Sequence, residues 1–288
     1  MRKRLRDKLS GGLSSDELCK VYNSFDVVGD IAIIKIPSSN VANEEAIAKQ
    51  IMSSQKNIKT VLNPATRITG DYRVRALRLL AGENKTSTTH KESGCAFKVD
   101  VEKCYFSPRL SHEHTRIASL VKSGETVVNM FAGVGCFSII IAKTQSKTKV
   151  YSIDVNPAAV GCMEENVKIN QVNDCVFPML GDAKDIIQTR LQGAADRVLM
   201  PLPEKALEYL PYALMALKKT GGWIHYYDFQ HAPGKEDPVK KTKVKVAQKL
   251  DSMGICYVFA NGRVMRPTGP NWYQTVLDIQ VTELPSKF

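Results

Sequence analysis

The chain has 288 residues, of which 43% are hydrophobic and 24% charged, and its formal net charge is +11. This composition is typical of a globular protein with enough apolar residues for one large core or two modest ones. No run of about 18 apolar residues occurs, and no apolar stretch follows the basic start, which argues against membrane-spanning and secreted proteins and predicts a cytoplasmic one.

The cysteine pattern predicts reduced thiols. Seven cysteines occur without a CxxC pair, and this odd number favours neither a disulfide framework nor a zinc site. We therefore expect no metal ion and no membrane partner, and we expect the protein to be a monomer.

The first part of the chain predicts two regions. Residues 1–20 form a basic lead, helical or loose, and residues 21–108 form a small α+β domain. The predicted elements of this domain are two short strands around a Gly-Asp turn in 25–37, a helix over 43–54, short strands and turns over 61–80, and a strand pair in 91–106. The border is expected near residues 107–111, so that residues 109–288 form a second, larger domain.

A predicted helix over 112–122 leads into the most informative stretch, 127–138, which has the pattern of a buried strand, a glycine turn and the start of a helix. Gly133 and Gly135 allow the backbone to approach a ligand without a Cβ atom in the way. Ser138 stands where a dinucleotide fingerprint has its third glycine, and no Gly-Lys-Ser/Thr follows. The turn is therefore not built for phosphates. A glycine turn alone is also frequent in structural α/β proteins.

Three further strand ends follow in the order of a doubly wound sheet. The strand ending at Asp154 places a carboxylate where it can accept both ribose hydroxyls of a nucleoside. A strand over 176–182 ends in Asp182, which could accept the adenine amino group, and a strand over 195–203 ends in a proline-bounded turn. The pattern predicts a Rossmann-like class I methyltransferase core and an adenosine cofactor without phosphates, of which S-adenosylmethionine is the common one.

The rest of the chain completes this α/β pattern. The predicted elements are a helix over 206–217, a strand over 223–229, a lysine-rich helical segment, and an antiparallel pair, 256–259 and 274–281, with a turn at Asn261-Gly262. The lysines Lys240, Lys241, Lys243 and Lys245, with the basic lead, favour RNA as a polyanionic partner, bound through phosphate contacts and shape. A solvated helix face is the alternative interpretation of these lysines.

Four motifs occur together. They are Phe106-Ser-Pro-Arg-Leu110 with Glu113 three residues on, Met130-Phe-Ala-Gly-Val-Gly135, Asp196-Arg-Val-Leu-Met200 and Ile224-His-Tyr-Tyr227. In order and spacing they resemble the tRNA (guanine-37) N1-methyltransferase family, whose superfamily also includes wybutosine-pathway aminocarboxypropyltransferases. The resemblance runs from about residue 24 to the end of the chain. It implies methyl transfer from S-adenosylmethionine to the purine 3′ of the tRNA anticodon, and we expect the family's usual N-terminal domain to be absent.

The resemblance also implies roles for single residues. Glu113 matches the position of the base that removes the N1 proton, and Arg73 matches an arginine that holds the guanine O6. Arg109 matches a residue that contacts RNA phosphate or orders the loop before Glu113. The implied cofactor-binding set is Tyr105, Asn129, Phe131, Gly133, Gly135, Asp154, Val155, Asp182, Ala183 and Pro201. On the residues alone, Glu113 would more often be a helix-capping acid and Arg73 a surface residue.

Two departures from the family pattern leave the acceptor open. Asn129 replaces the usual Asp of the first core strand, and Pro201-Leu-Pro203 replaces an Asn-Leu-Pro turn whose Asn contacts the guanine. Pro201 has neither an amide side chain nor a backbone N–H. With Pro201 and Pro203 at the catalytic turn, the alternatives are a wyosine-precursor acceptor and aminocarboxypropyl transfer. A nicotinamide dehydrogenase and an RNA-binding module with an inactive pocket remain as other classes.

Overall fold

The computed structural model describes residues 25–36 and 43–285. Contacts between Cα atoms divide the chain into two compact units, Met1–Ser111 and His112–Phe288, called unit 1 and unit 2 below. The basic lead predicted at residues 1–20 lies outside the described residues. Among those residues, no helix has both the length and the apolar character needed to cross a membrane.

Unit 1 is an α+β unit with a four-stranded sheet in the order β1-β2-β3-β4. Its elements are β1 (Asp26–Val28), β2 (Ile31–Ile33), α1 (Glu44–Ser54), β3 (Thr60–Pro64), β4 (Leu77–Gly82), β5 (Ser87–Glu92) and β6 (Cys95–Asp100). Helix α1 connects the parallel strands β2 and β3 and buries Ile47 and Ile51 against Ile34 and Val61. The predicted short strands and helix of this unit are confirmed.

The strand pair predicted at 91–106 is present, but it lies closer to the N-terminus, over residues 87–100. The paired strands are β5 and β6, and they end at Asp100. The sequence of β5 is Ser-Thr-Thr-His-Lys-Glu, with alternating exposure and no aliphatic residue, so hydrophobic periodicity could not detect it.

Unit 2 is a seven-stranded sheet with helices packed on it. Its elements are α2 (Ser111–Leu120), β7 (Thr126–Asn129), α3 (Cys136–Thr144), β8 (Lys149–Asp154), α4 (Pro157–Ile169), β9 (Val176–Leu180), α5 (Ala183–Ile186), β10 (Arg197–Met200), α6 (Ala206–Ala216), β11 (Gly222–His231), α7 (Pro238–Ser252), β12 (Cys256–Gly269) and β13 (Trp272–Glu283). The strand order is β12-β13-β11-β10-β7-β8-β9. The strands from β11 to β9 are parallel, and β13 is antiparallel to both neighbours.

The order of strands places a crevice at the centre of this sheet. The chain runs outward from β7 to β8 and β9 on one side, then returns to β10 and β11 on the other. In open α/β sheets, ligands bind at the carboxyl ends of the strands where the strand order reverses, which here lies between β7 and β10. Both strands are buried, and Val128, Met130, Val198 and Met200 form part of the main core.

The turn predicted at Asn261-Gly262 is wrong. Strand β12 continues through these residues, with Asn261 opposite Asp278 and Gly262 opposite Leu277, and the hairpin turns before Trp272 instead. A Cβ atom on Gly262 would lie 2.8 Å from Val239 Cγ1 and 2.9 Å from Leu277 Cδ2. The glycine therefore reflects the close approach of α7 to the strand, and a glycine in a strand can have this cause as well as a turn.

Candidate active site

The glycine turn after β7 has the conformation that its sequence predicts. Gly133 and Gly135 have φ angles of +56° and +92°, which side-chain-bearing residues rarely adopt. A Cβ atom on Gly135 would lie 2.9 Å from Met163 Cγ on α4. The glycines thus allow both the left-handed turn and the close packing of helices around it.

Asp154 joins the end of β8 to this turn. Its Oδ2 accepts a hydrogen bond of 2.7 Å from the backbone N–H of Gly133, and its Oδ1 accepts one of 2.9 Å from that of Asn156. Burial raises the pKa of Asp154, and the backbone N–H groups oppose that shift. Each carboxylate oxygen has two lone pairs, so both oxygens keep acceptor capacity for the hydroxyls of a ribose.

Asn129 lies at the end of β7 and is fully buried. Its Nδ2 donates to Ser138 Oγ at 3.2 Å, and Ser152 Oγ donates to the same oxygen at 2.7 Å. Among the described residues, Oδ1 of Asn129 is a buried acceptor without a hydrogen-bond partner. Ser138, at the fingerprint position without glycine, therefore helps to join helix α3 to the strands, and Asn129 keeps one acceptor for a donor.

Asp182 caps helix α5 and contacts an aromatic pair. It accepts from the backbone N–H of Lys184 at 2.8 Å, and its two oxygens accept from the Tyr209 hydroxyl at 3.0 and 2.8 Å. The rings of Tyr209 and Phe131 meet edge to face, with centroids 5.2 Å apart. The structure thus links Phe131 and Asp182 through Tyr209, which sequence reasoning missed because it is one of two tyrosines on an apolar helix.

The remaining cofactor candidates of unit 2 differ in what they offer. Val155 is exposed directly after Asp154, whereas Ala183 is buried in the core, so only its backbone could reach a ligand. Pro201 and Pro203 follow β10, next to β7, and they are half-buried and buried respectively. The proline turn therefore lies at the central crevice, where its two prolines provide shape but no backbone N–H.

Glu113 is only 2% exposed and receives four hydrogen bonds. Arg116 donates to Oε1 at 2.8 Å and to Oε2 at 2.9 Å, the Tyr227 hydroxyl donates to Oε1 at 2.7 Å, and Arg263 donates to Oε2. Burial, followed by the charge of Glu113, raises the pKa of Tyr227 well above its ordinary value, so this hydroxyl keeps its proton. Tyr227 lies one residue beyond Tyr226, which pairs with the last residue of β10. It therefore anchors Glu113 at the carboxyl edge of the sheet.

Behind Glu113 lies a chain of hydrogen-bonded polar side chains, buried or partly buried, that we call the ionic network. Its members in order are Glu113, Arg116, Asp278, His225, Arg197 and Glu125. Arg116 donates to both oxygens of Asp278, at 2.7 and 3.0 Å, and Asp278 lies 2.6 Å from His225 Nδ1. Burial opposes the charge of Asp278, but the bonds from His225 and Arg116 hold its pKa well below its usual range.

The other end of the ionic network fixes the state of His225. Arg197 Nη1 lies 2.7 Å from His225 Nε2, and its Nε donates to Glu125 at 2.8 Å. Because a guanidinium can only donate, Nε2 accepts, so the ring proton is on Nδ1 and points to Asp278. Burial lowers the pKa of His225 and keeps the ring neutral. Sequence reasoning missed this network, and the one available signal for part of it was the i, i+3 spacing of Glu113 and Arg116.

The candidates of unit 1 form local contacts of their own. Arg73 has a left-handed φ of +52°, and its guanidinium carbon lies 4.3 Å from the centre of the Tyr105 ring. Left-handed backbone in a residue other than glycine or asparagine is costly and is enriched at functional sites. Arg109 donates to Asp26 Oδ1 at 2.6 Å, so a phosphate would have to compete with this carboxylate.

The four lysines predicted to contact RNA lie on α7. They are Lys240, Lys241, Lys243 and Lys245. The Nζ of Lys241 lies 2.6 Å from Glu236 and that of Lys245 lies 2.8 Å from the buried Asp228, so the charges of both lysines are already compensated. Lys243 lies over the Phe259 ring, 5.8 Å from its centre, and Lys240 is exposed.

The order of strands and the residues at their carboxyl ends define a class of protein. A doubly wound sheet with β13 inserted antiparallel, a glycine turn after the central strand and an acid after the next one is the architecture of class I methyltransferases. Within residues 25–36 and 43–285, no group of three or more His, Cys, Asp or Glu side chains could hold a metal ion.

Comparison with known families narrows this class. Residues 88–253, more than half of the chain, match the profile of the TRM5/TYW2 methyltransferase domain, and residues 5–86 match that of the TYW2 N-terminal domain. The chain therefore belongs to the TRM5/TYW2 methyltransferase family, as its motifs predicted.

Individual relatives cover most of the chain. It is 40% identical over 260 residues to the tRNA (guanine(37)-N(1))-methyltransferase Trm5b of Pyrococcus abyssi, covering 90% of this chain and 75% of the relative. It is 37% identical over 262 residues to the tRNA 4-demethylwyosine(37)-methyltransferase Taw21 of Saccharolobus solfataricus, covering 90% and 94%. The crystal structure of Methanocaldococcus jannaschii Trm5 in complex with adenosine superposes with a TM-score of 0.79 at 32% identity, covering 98% of this chain and 79% of that one.

Proposed function

We propose that this protein transfers a methyl group from S-adenosylmethionine to N1 of the guanine at position 37 of tRNA. The observation that carries the proposal is the arrangement of unit 2. Its glycine turn, Asp154 and Asp182 lie at the carboxyl edge of the sheet in the arrangement of a nucleoside-binding site. The buried carboxylate of Glu113 is anchored at the same edge. The activity of the Trm5b relative and the adenosine in the Trm5 structure support the same function.

The described residues fit this cofactor. Asp154 keeps acceptor capacity for the ribose hydroxyls, Asp182 can accept a hydrogen bond from the adenine amino group, and the ring of Phe131 packs against Tyr209, the tyrosine that donates to Asp182. The unpartnered Oδ1 of Asn129 fits an amino-group donor. Gly133, Gly135, Val155, Ala183, Pro201 and, from unit 1, Tyr105 complete the proposed binding set.

The proposed mechanism assigns the proton transfer to Glu113. S-adenosylmethionine, when bound, supplies the methyl carbon, and its sulfur keeps the electrons of the bond that breaks. The N1 proton of guanine is only weakly acidic, so Glu113 accepts it and leaves the N1 electron pair free to bond the methyl carbon. Arg73 is proposed to hold O6 of the purine, where negative charge grows. Pro201 and Pro203 shape the turn against the base, and Arg109 contacts RNA phosphate. We infer a monomer that acts in the cytoplasm.

A second acceptor is favoured by Pro201. The turn after β10 lacks the amide side chain that reads guanine in the family, and Taw21 acts on 4-demethylwyosine at the same tRNA position. Methylation of a wyosine precursor is therefore the second candidate. Aminocarboxypropyl transfer from the same cofactor is the third possible outcome of the test.

The deciding experiment is mass spectrometry of nucleosides after incubation with S-adenosylmethionine. Two tRNA substrates are used, one unmodified and one carrying 4-demethylwyosine at position 37. A gain of one methyl group on guanosine supports the first candidate, and a methyl gain only on the precursor supports the second. Gain of an aminocarboxypropyl group, or no gain on either tRNA, overturns methyl transfer.

Replacing Asp154 by Ala is expected to weaken cofactor binding by about 10- to 100-fold, because charge-assisted hydrogen bonds contribute about 1.5–3 kcal/mol each. The change removes the acceptors that hold Gly133 and Asn156 as well as the ribose contacts. The measurement is a thermal-shift titration with S-adenosylhomocysteine. The control is Asp185→Ala, which removes an exposed acid from α5 and is expected to leave binding unchanged. Equal affinity in the Asp154 variant would contradict this role.

Charge removal on α7 should weaken tRNA binding and reduce its salt dependence. The double variant Lys240→Gln, Lys243→Gln is expected to lower the slope of log K against log salt by about one for each phosphate that α7 no longer neutralises. The control is Lys241→Gln, whose ammonium already pairs with Glu236 and should matter less. The assay is tRNA binding at several salt concentrations, and an unchanged slope in the double variant would mean a merely solvated helix face.

A further inference from the structure

All acceptor positions of Glu113 are occupied in this structure. Two ionised oxygens offer about four lone pairs, and four donors take them: two from Arg116, one from Tyr227 and one from Arg263. A carboxylate in this state has no lone pair left for a proton on a substrate. If Glu113 is the base, one donor must leave before the proton can arrive.

The three side chains that donate to Glu113 differ in how firmly they are held. Tyr227 is buried on a central strand, and Arg116 is held from behind by both oxygens of Asp278. Arg263 lies on β12, the edge strand of the sheet, and its side chain is 37% exposed. Register shifts interrupt the pairing of β12 on both sides of it, between Phe259 and Asn261 and between Val264 and Arg266.

The guanidinium of Arg263 is also incompletely bonded. Its Nε is buried and, among the described residues, has no acceptor. A buried donor without a partner costs free energy, so another position that satisfied the whole guanidinium would be favoured over the present one. Nucleotides offer such positions, because a phosphate, or the O6 and N7 atoms of a guanine, can bind two nitrogens of an arginine at once. Arg263 is thus both the most exposed donor and the one with an unmet hydrogen bond.

We propose that Arg263 is exchanged between Glu113 and the substrate: an oxygen of the acceptor nucleotide takes its guanidinium when tRNA binds, and this frees Oε2 of Glu113 for the N1 proton. The inference rests on the proposed function. It makes Arg263 a substrate-binding residue that also couples the availability of the base to the presence of the nucleotide. Arg116 and Tyr227 stay on the carboxylate and keep it in position.

The test measures the pH dependence of kcat and kcat/KM for methyl transfer by the wild type, Arg263→Ala and Arg263→Lys. In a plot of rate against pH, the fall in rate at low pH is called the acid limb. The acid limb of kcat/KM reports protonation of the base in the free enzyme, and the acid limb of kcat reports its protonation in the enzyme–substrate complex. The charged groups around Glu113 are Arg116, Arg263 and, through Arg116, Asp278, with Tyr227 neutral. Arg263→Ala removes a positive charge from beside Glu113 in the free enzyme, whereas in the complex the arginine has already left the carboxylate. The kcat/KM limb of Arg263→Ala should therefore move to higher pH while the kcat limb stays in place.

The variants also show whether the nucleotide oxygen that binds Arg263 belongs to a phosphate or to the purine. KM for tRNA should rise by about 10- to 100-fold in Arg263→Ala, the loss expected for a charge-assisted hydrogen bond. If the oxygen belongs to a phosphate, the salt slope of binding falls by about one, and if it is a purine carbonyl the slope is unchanged. Arg263→Lys keeps the charge, so its kcat/KM limb should shift less than that of the Ala variant. It also serves as the second variant if Arg263→Ala does not fold.

The matched control is Arg266→Gln, which removes an arginine three residues on that donates to Gln274 rather than to Glu113. Neither limb should move in this variant. Equal shifts of both limbs in the Arg263 variants would mean that Arg263 never leaves the carboxylate of Glu113. No shift in either limb would mean that Arg263 does not bind Glu113 in solution. Either result overturns the exchange. An absence of methyl transfer in the wild type instead refutes the proposed function.

Discussion

Replacing Glu113 by Gln is expected to lower the single-turnover rate of methyl transfer by about 10²- to 10⁴-fold, the usual contribution of a positioned general base. Gln keeps the shape of the side chain and can accept hydrogen bonds from Tyr227 and Arg116, but it cannot take the N1 proton. Cofactor affinity, measured by thermal-shift titration, should change little, because the residues proposed to bind adenosine do not include Glu113. Equal losses of rate and cofactor affinity would make Glu113 a structural residue.

A matched control is needed because Glu113 is also an ion-pair partner. Glu125 provides it, since it accepts from Arg197 at the opposite end of the ionic network. It precedes β7 and therefore lies at the amino edge of the sheet, away from the crevice. Glu125→Gln removes a comparable partly buried charge, so it should lower stability while leaving the methyl-transfer rate near that of the wild type. A similar rate loss in both variants would trace the effect to stability rather than to proton transfer.

The local parts of the site could be predicted from the sequence. Gly133, Gly135 and Asp154 lie within 22 consecutive residues of a strand–turn–helix–strand unit, and the backbone of that unit determines where they meet. The strand pattern likewise located β7, β8 and β11, because β7 and β8 bury valine or isoleucine side chains and β11 buries Ile224 with two tyrosines. It failed for the polar β5, and it placed a turn inside β12 where a glycine allows α7 to approach.

The ionic network could not be predicted, because it joins residues far apart in the sequence. Arg116 and Asp278 are separated by 162 positions, and His225 and Asp278 by 53. Nothing in the sequence around any one of these residues indicates that it has a buried partner. His225 comes to lie opposite Asp278 only through the pairing of β11 with β13. Glu113 was identified through motif resemblance, whereas the groups that hold it became visible only in three dimensions.

This dependence on distant partners makes Asp278 the residue with the largest expected effect on stability. Asp278→Asn is expected to lower the free energy of unfolding by about 3–5 kcal/mol, because it removes the buried carboxylate that is one of the two counter-charges of the partly buried Arg116. Asn can still accept from His225 Nδ1, but it cannot neutralise Arg116, whose raised pKa depends on bonds to Glu113 and Asp278 that outweigh its burial.

Urea unfolding followed by tryptophan fluorescence measures this loss in the right unit, since both tryptophans, Trp223 and Trp272, belong to unit 2. The matched control is Glu236→Gln, which removes an acid from the exposed pair with Lys241 and should cost no more than about 1 kcal/mol. If the two variants lost the same stability, the ionic network would contribute no more than a surface pair. Glu113 would then depend for its position on Tyr227 and local helix packing rather than on Asp278.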